Sequence, residues 1–222
     1  MMKHVVITGA NRGIGLALAR IYSKDHHVTA VCRSSSEALE KLPNTQITAN
    51  VNMNSKEAIK QAIGSIETNI DIMICNAGIL EDGRGRPGNI DIESIVNQLN
   101  INAIAPIICV EAALSKFASK AKVILITSRM GSIKDNTSGG YYGYRMSKAA
   151  LNAAGKSLAI DLQKRNIALA MLHPGMVSTE MTHFAGSRSA DEAASELVAR
   201  IHELTMGNTG KFLHANSEEL PW

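Results

Sequence analysis

The chain has 222 residues, 45% hydrophobic, 19% charged and 4% aromatic, with 23 Lys and Arg against 20 Asp and Glu for a formal charge of +3. That length and apolar content suffice for one domain with a sizeable core rather than two. The charges interleave without a basic run and aromatic platforms are few, which argues against a dedicated nucleic-acid binder, and no stretch of about 18 consecutive apolar residues offers itself to a membrane.

In chain order, short apolar runs at 5–8, 28–32, 47–51, 70–75, 122–128, 168–173 and 211–214 read as strands. Several are apolar almost throughout, as strands of a parallel sheet covered on both faces are. Between them, 14–24, 35–41, 55–66, 92–118, 143–164 and 190–204 carry helical spacing. Ser55 ahead of Ala58, and Ser189 three residues before Glu192, mark helix starts. The first strand follows the N-terminus almost at once, without the longer apolar stretch of a signal peptide. The cysteines met along the way, Cys32, Cys75 and Cys109, are far apart and odd in number. No disulfide framework is expected and a cytoplasmic location fits. Metal-ligand spacings are lacking, so no metal site is expected. The alternation predicts an α/β fold: a doubly wound parallel sheet of about seven strands with helices on both faces, residues 1–222 forming a single domain. Such sheets bind ligands at the carboxyl ends of their strands.

The first strand end carries Gly9-Ala10-Asn11-Arg12-Gly13-Ile14-Gly15 and then a helix. Glycines permit a tight turn and close approach of a pyrophosphate, which the free N–H groups of the helix start then hold. A bare strand–helix turn is the plainer alternative. The second strand ends at Cys32-Arg33, with a cation where an NAD site places an acid. Arg12 and Arg33 together suit a ribose 2′-phosphate, so NADP(H) is the expected cofactor. The fourth strand ends in Cys75-Asn76-Ala77-Gly78, and the fifth in Thr127-Ser128. Ser128 could hydrogen-bond a carbonyl oxygen, or serve only as a turn serine. Tyr144 and Lys148, four apart, share one helix face. A phenol titrates near ~10 in water and must fall by about two to three units, roughly 3–4 kcal/mol, to exchange protons near neutrality. The Lys148 ammonium is expected to help lower it; a packed tyrosine beside a snorkelling lysine is the bland reading.

The ordered set Thr8 to Gly15, Asn76-Ala77-Gly78, Asn102, Ser128, Tyr144-x-x-x-Lys148 and Pro174-Gly175-x-x-x-Thr179 resembles the short-chain dehydrogenase/reductase family across nearly the whole chain. The stretch 133–158, and the ending Phe212-Leu213 to Pro221-Trp222, resemble its carbonyl-reductase, sniffer-like branch. The resemblance implies a Rossmann-type fold and NADPH-dependent reduction of a small ketone or aldehyde. It implies Tyr144 as general acid, Lys148 as the group lowering its pKa and binding the nicotinamide ribose, Ser128 as the carbonyl-orienting group, and Asn102 as holder of a relay water. Gly9, Asn11, Arg12, Gly13, Ile14 and Gly15 would hold the phosphates. Arg33, Asn50 and Val51 would face the adenosine, and Asn76, Ala77 and Gly78 the ribose. Pro174, Gly175, Val177 and Thr179 would pack on the nicotinamide. Family members commonly pair through their long helices, so a homodimer or homotetramer is expected.

The chain departs from the family in several places. Cys75-Asn76 replaces a common Asn pair, and Asn50 stands where an Asp often contacts adenine. Asn100 competes with Asn102, though the spacing to Pro106 favours the latter. The region after Thr179 is short, which predicts an open site taking small or slender carbonyls. Ile79, Met130, Ile133, Met176, Met181 and Phe184 are its candidate lining. Two other functions stay open: an NAD-dependent alcohol or sugar dehydrogenase, and a non-catalytic NADP(H)-binding sensor or signalling protein.

Overall fold

Seven parallel strands line up in the order β3-β2-β1-β4-β5-β6-β7 in the computed structural model, which describes residues 2–81, 85 and 87–222. They are β1 (His4–Thr8), β2 (His27–Val31), β3 (Thr45–Thr48), β4 (Ile70–Cys75), β5 (Phe117–Ile126), β6 (Ala168–His173) and β7 (Phe212–His214). The helices are α1 (Gly13–Tyr22), α2 (Glu37–Glu40), α3 (Lys56–Gly64), α4 (Ile92–Leu99), α5 (Ala105–Ala113), α6 (Tyr142–Gln163) and α7 (Ala190–Glu203). This is the doubly wound sheet that the alternation predicts, in the Rossmann-type fold that the resemblance implies. The winding reverses between β1 and β4, which pair directly from Val5↔Ile72 to Ile7↔Ile74. A ligand cleft therefore opens where those two strands end.

Alternate side chains of each strand feed opposite faces. Val6, Met73, Val123, Leu125, Leu169 and Met171 join Ile59, Val110 and Leu151 under α3, α5 and α6. Val5, Ile7, Ile72, Ile74, Ile124 and Ala170 join Leu18, Tyr22, Leu197 and Ile201 under α1 and α7. Both predicted caps form: Ser55 accepts from the Ala58 N–H, and Ser189 and Glu192 close a reciprocal capping box.

The expected boundaries shift in four places. The third strand lies at Thr45–Thr48, because Asn50 turns left-handed (φ 62°) and hands its N–H to the Arg33 carbonyl. The second helix is a single turn, Glu37–Glu40. The fifth strand begins early, at Phe117, so the end of the predicted 92–118 helix is strand. That helix is also broken in register: a π turn, Asn100–Ile104, separates α4 from α5. Pro106 has no N–H to return to the Asn102 carbonyl four residues back, and the wider turn absorbs the mismatch. The continuous Ile92–Ala113 span is long and apolar enough to pass a membrane-span criterion. Its Cys109, Val110 and Ala113 are packed in the core against the sheet.

Candidate active site

The end of β1 is shaped around the end of β4. Gly9 turns left-handed (φ +68°), and a Cβ on it would lie 2.9 Å from Ala77 Cα. A Cβ on Gly15 would lie 2.1 Å from the Gly9 carbonyl oxygen. Asn76 Nδ2 donates to the Thr8 and Gly9 carbonyls at 3.1 Å each. The Thr8 hydroxyl accepts from the N–H groups of Asn76 and Ala77, again at 3.1 Å. Behind this clasp α1 begins with no side-chain cap and no acid in its first turn. Unscreened N–H groups, a positive helix end and space that only glycines leave open suit a pyrophosphate.

The cations around this turn divide. Arg33 is exposed just past β2. Arg12, also exposed, pairs with Glu180 on the short 3-10 turn after β6, a partner no local pattern signals. Asn11 receives the Ser36 hydroxyl on its carbonyl at 2.7 Å. Asn50 and Val51 close the turn after β3 against the Arg33 and Cys32 carbonyls, with Val51 buried.

Across the cleft, α6 presents Tyr144 and Lys148 from successive turns, with Lys148 Nζ 5.7 Å from the centre of the Tyr144 ring. Lys148 is 4% exposed, and its Nζ donates to the Ile126 carbonyl at 3.0 Å. The Tyr144 phenol lies beside Ser128, whose Oγ accepts from the Met130 N–H at 3.1 Å. Ser128 stands just past β5, so strand and helix together bring the two hydroxyls together. The expected lowering of the phenol is reversed by the protein's own groups. Burial pushes Tyr144 up to about 12, the Ser128 side chain offsetting only part. Burial pulls Lys148 down to about 8. Desolvation, which disfavours both charged forms, outweighs their mutual attraction here.

Of the two competing asparagines, Asn102 is the one at the site. Buried in the π turn, its Oδ1 accepts from the Ile79 N–H at 2.8 Å, and its Nδ2 donates to the Ile79 carbonyl at 2.9 Å and to Ser147 Oγ at 3.0 Å. Its amide is thus a clasp between the β4 end and α6. The place a Cβ on Gly78 would take lies 3.1 Å from Asn102 Oδ1 and 3.7 Å from Lys148 Nζ. No local pattern marks Ser147, which differs in no local feature from any helix serine.

The chain after β6 completes the cleft. Gly175 is left-handed (φ +84°), and Val177 is buried and bridged to Arg188. A methyl of Thr179 comes within 3.4 Å of the Cβ position of Gly13, so this segment lies over the glycine turn. His183 and Phe184, both left-handed (φ 49° and 58°), then turn the chain. Of the candidate lining, Ile133, Met176 and Phe184 are 82%, 59% and 66% exposed and Met181 37%, so these four are surface side chains; Ile79 and Met130 are half-buried. The end of β6 also holds a residue the sequence did not mark. His173, ending β6, is pulled down to about 3 by burial and then by His214, Arg129, Lys148 and Arg188.

A sequence model described as short chain dehydrogenase matches residues 3–190. The 1-hydroxy-2-glutathionyl-2-methyl-3-butene dehydrogenase of Rhodococcus sp. (strain AD45) is 33% identical over 231 residues, covering 100% of both chains. Among solved structures, the carbonyl reductase Sniffer of D. melanogaster matches with a TM-score of 0.91 at 28% identity, over 100% of both chains. An NADPH-bound carbonyl reductase from chicken fatty liver matches at 0.91 and 26%, over 100% of this chain and 99% of that one.

Proposed function

The chain belongs to the short-chain dehydrogenase family, and from that premise we propose that it is an NADPH-dependent reductase converting small ketones and aldehydes to alcohols. The observation that carries the reading is the contact of Ser128 with Tyr144, one helical turn from the buried Lys148 and across the cleft from the glycine turn. Bound NADPH would supply the hydride to the carbonyl carbon. Tyr144 donates its phenolic proton to the carbonyl oxygen, and Ser128 holds that oxygen in line. Lys148 places its charge where the phenolate develops. Asn102 keeps the β4 end seated against α6 and so keeps a relay water in reach of Lys148. Gly9, Gly13, Ile14 and Gly15 would hold the phosphates, Asn76 to Gly78 the ribose, and Pro174 to Thr179 the nicotinamide.

Arg12 and Arg33, with no acid at the β2 end, support NADP over NAD, as does the NADPH in the chicken relative. The exposed apolar side chains of Ile133, Met176 and Phe184 support slender, largely apolar substrates. Tyr144→Phe is expected to lower turnover at least 1000-fold while NADPH still binds, a ~4 kcal/mol loss confined to the chemical step. Carbonyl-panel turnover followed by NADPH absorbance decides this, and an unchanged rate in the variant sinks the reading. The Rhodococcus relative, named a dehydrogenase, favours a second reading, alcohol oxidation with NAD. Binding NADH as tightly as NADPH would select it.

We further place the protein in a reducing cytoplasm, which its three buried free cysteines support. A homodimer or homotetramer is supported by Ile92 and Val96 of α4 and Ile104 of the π turn, 66%, 50% and 46% exposed. Sedimentation of the purified chain tests the assembly.

A further inference from the structure

The segment after β7 has no part in the chemistry above. Beyond His214 the chain doubles back: the His214 N–H donates to the Glu218 carbonyl at 2.8 Å and the Leu220 N–H to the Phe212 carbonyl at 2.9 Å. Leu220 is buried, and the Trp222 ring lies 5.6 Å from that of Phe212. Anchored so, the tail reaches the loop that follows Ser128. The main-chain oxygen of Trp222 accepts from the Lys134 N–H at 3.0 Å and from the Ser132 hydroxyl at 3.1 Å. Arg129 donates to Glu218 Oε2 at 2.7 Å.

The same loop rests on α6 from the other side. A Cβ on Gly131 would lie 2.7 Å from the Lys148 carbonyl carbon. Arg145 donates to the Met130 carbonyl at 3.4 Å and to Ser138 Oγ at 2.9 Å. Residues 129–135 are thus held between the helix bearing Tyr144 and Lys148 and a hairpin built on the sheet edge. Ser128 opens this loop, and its Oγ is bonded into it through the Met130 N–H.

We propose that the tail, through Glu218 and Trp222, is a positioning element for Ser128: it seats the loop against α6 and so sets where the Ser128 hydroxyl meets Tyr144 and the substrate oxygen. An exposed ion pair contributes little alone. Two hydrogen bonds on one oxygen, one from the buried Ser132, make the contact directional. The tail lies at the β7 edge, separated from β1 and its glycine turn by three intervening strands. Its effect should therefore fall on turnover rather than on dinucleotide binding, because misplacing a reacting group by about 1 Å is costly. The inference rests on the reductase reading.

Trp222→Ala and Arg129→Gln, made in the full chain, test it. Each is expected to lower kcat about tenfold for Trp222→Ala and threefold or more for Arg129→Gln, with the NADPH Kd by calorimetry within twofold of the parent. Trp222→Phe should restore at least half the rate. Placed on Ser128→Ala, Trp222→Ala should cause no further loss, since the tail acts through that hydroxyl. Parental kcat in both variants, a parallel loss of NADPH binding, or full additivity with Ser128→Ala overturns the proposal. If Trp222→Ala does not fold, Arg129→Gln, a surface change, decides on the same measurements. A parent without turnover on any carbonyl sinks the reductase reading and this inference with it, whereas an active parent matched by its variants sinks the tail's role alone.

Discussion

At Tyr144 and Lys148 the balance between burial and charge has a consequence in pH. Tyr144 stands at about 12 and Lys148 at about 8. The phenol therefore keeps its proton over the whole accessible range, and loss of the donor does not limit reduction. The lysine titrates first: above about pH 8 it becomes neutral, and the phenolate left after proton transfer loses its nearest cation. The kcat for reduction should be flat below that point and fall above it, approaching tenfold per unit. Lys148→Arg, which stays charged throughout, should have a lower plateau but no alkaline fall to pH 10. A parent profile flat from pH 7 to 10 would contradict this. The functional residue types were legible because their spacings are local: four residues from Tyr144 to Lys148, and a glycine turn directly after a strand. The pKa order was not, because it depends on how deeply the folded chain covers both groups.

Between β1 and α1, helix propensity and packing oppose each other at Gly15. Alanine would favour the helix by at most ~1 kcal/mol. Its Cβ would lie 2.1 Å from the Gly9 carbonyl oxygen and 2.6 Å from Asn76 Nδ2, so the turn must move and the Asn76 clasp must open. Packing wins, and Gly15→Ala is expected to weaken NADPH binding at least tenfold, measured by calorimetry; tighter binding would show that the clasp does not shape the phosphate site. Elements were read well where hydrophobic periodicity alone defines them, as in β4 and β6, whose bounds match expectation. Periodicity misplaces them where a single contact redirects the chain. Asn50 ends β3 early by turning left-handed, and Pro106 forces a π turn whose importance shows only when Asn102 is seen to join Ile79 and Ser147. Such links join residues 23 and 45 apart in sequence, beyond any local pattern.

Over the whole molecule, the winding gathers positive groups at the carboxyl edge of β5, β6 and β7. Arg129 follows β5, Lys148 comes from α6, Arg188 precedes α7 and His214 lies on β7. His173 is enclosed among them, its Nδ1 buried and without a hydrogen-bond partner among the described residues. Burial first, and these neighbours second, keep this histidine neutral. In the unfolded chain that histidine titrates near ~6.5; folded, it titrates at about 3. Between those values the unfolded state binds a proton that the folded state refuses, so stability falls as pH drops through 6.5 toward 3. From pH 7 to 5 the loss from this one residue is about 2 kcal/mol. His4, also buried and lowered, acts in the same direction, so the parent alone cannot isolate the effect. Urea unfolding of the parent and of His173→Gln at both pH values can: the variant should lose about 2 kcal/mol less between pH 7 and 5, whatever its stability at pH 7. Equal losses would mean that His173 accepts its proton in the fold, and that burial and its neighbours His214, Arg129, Lys148 and Arg188 oppose its charge less than their placement implies.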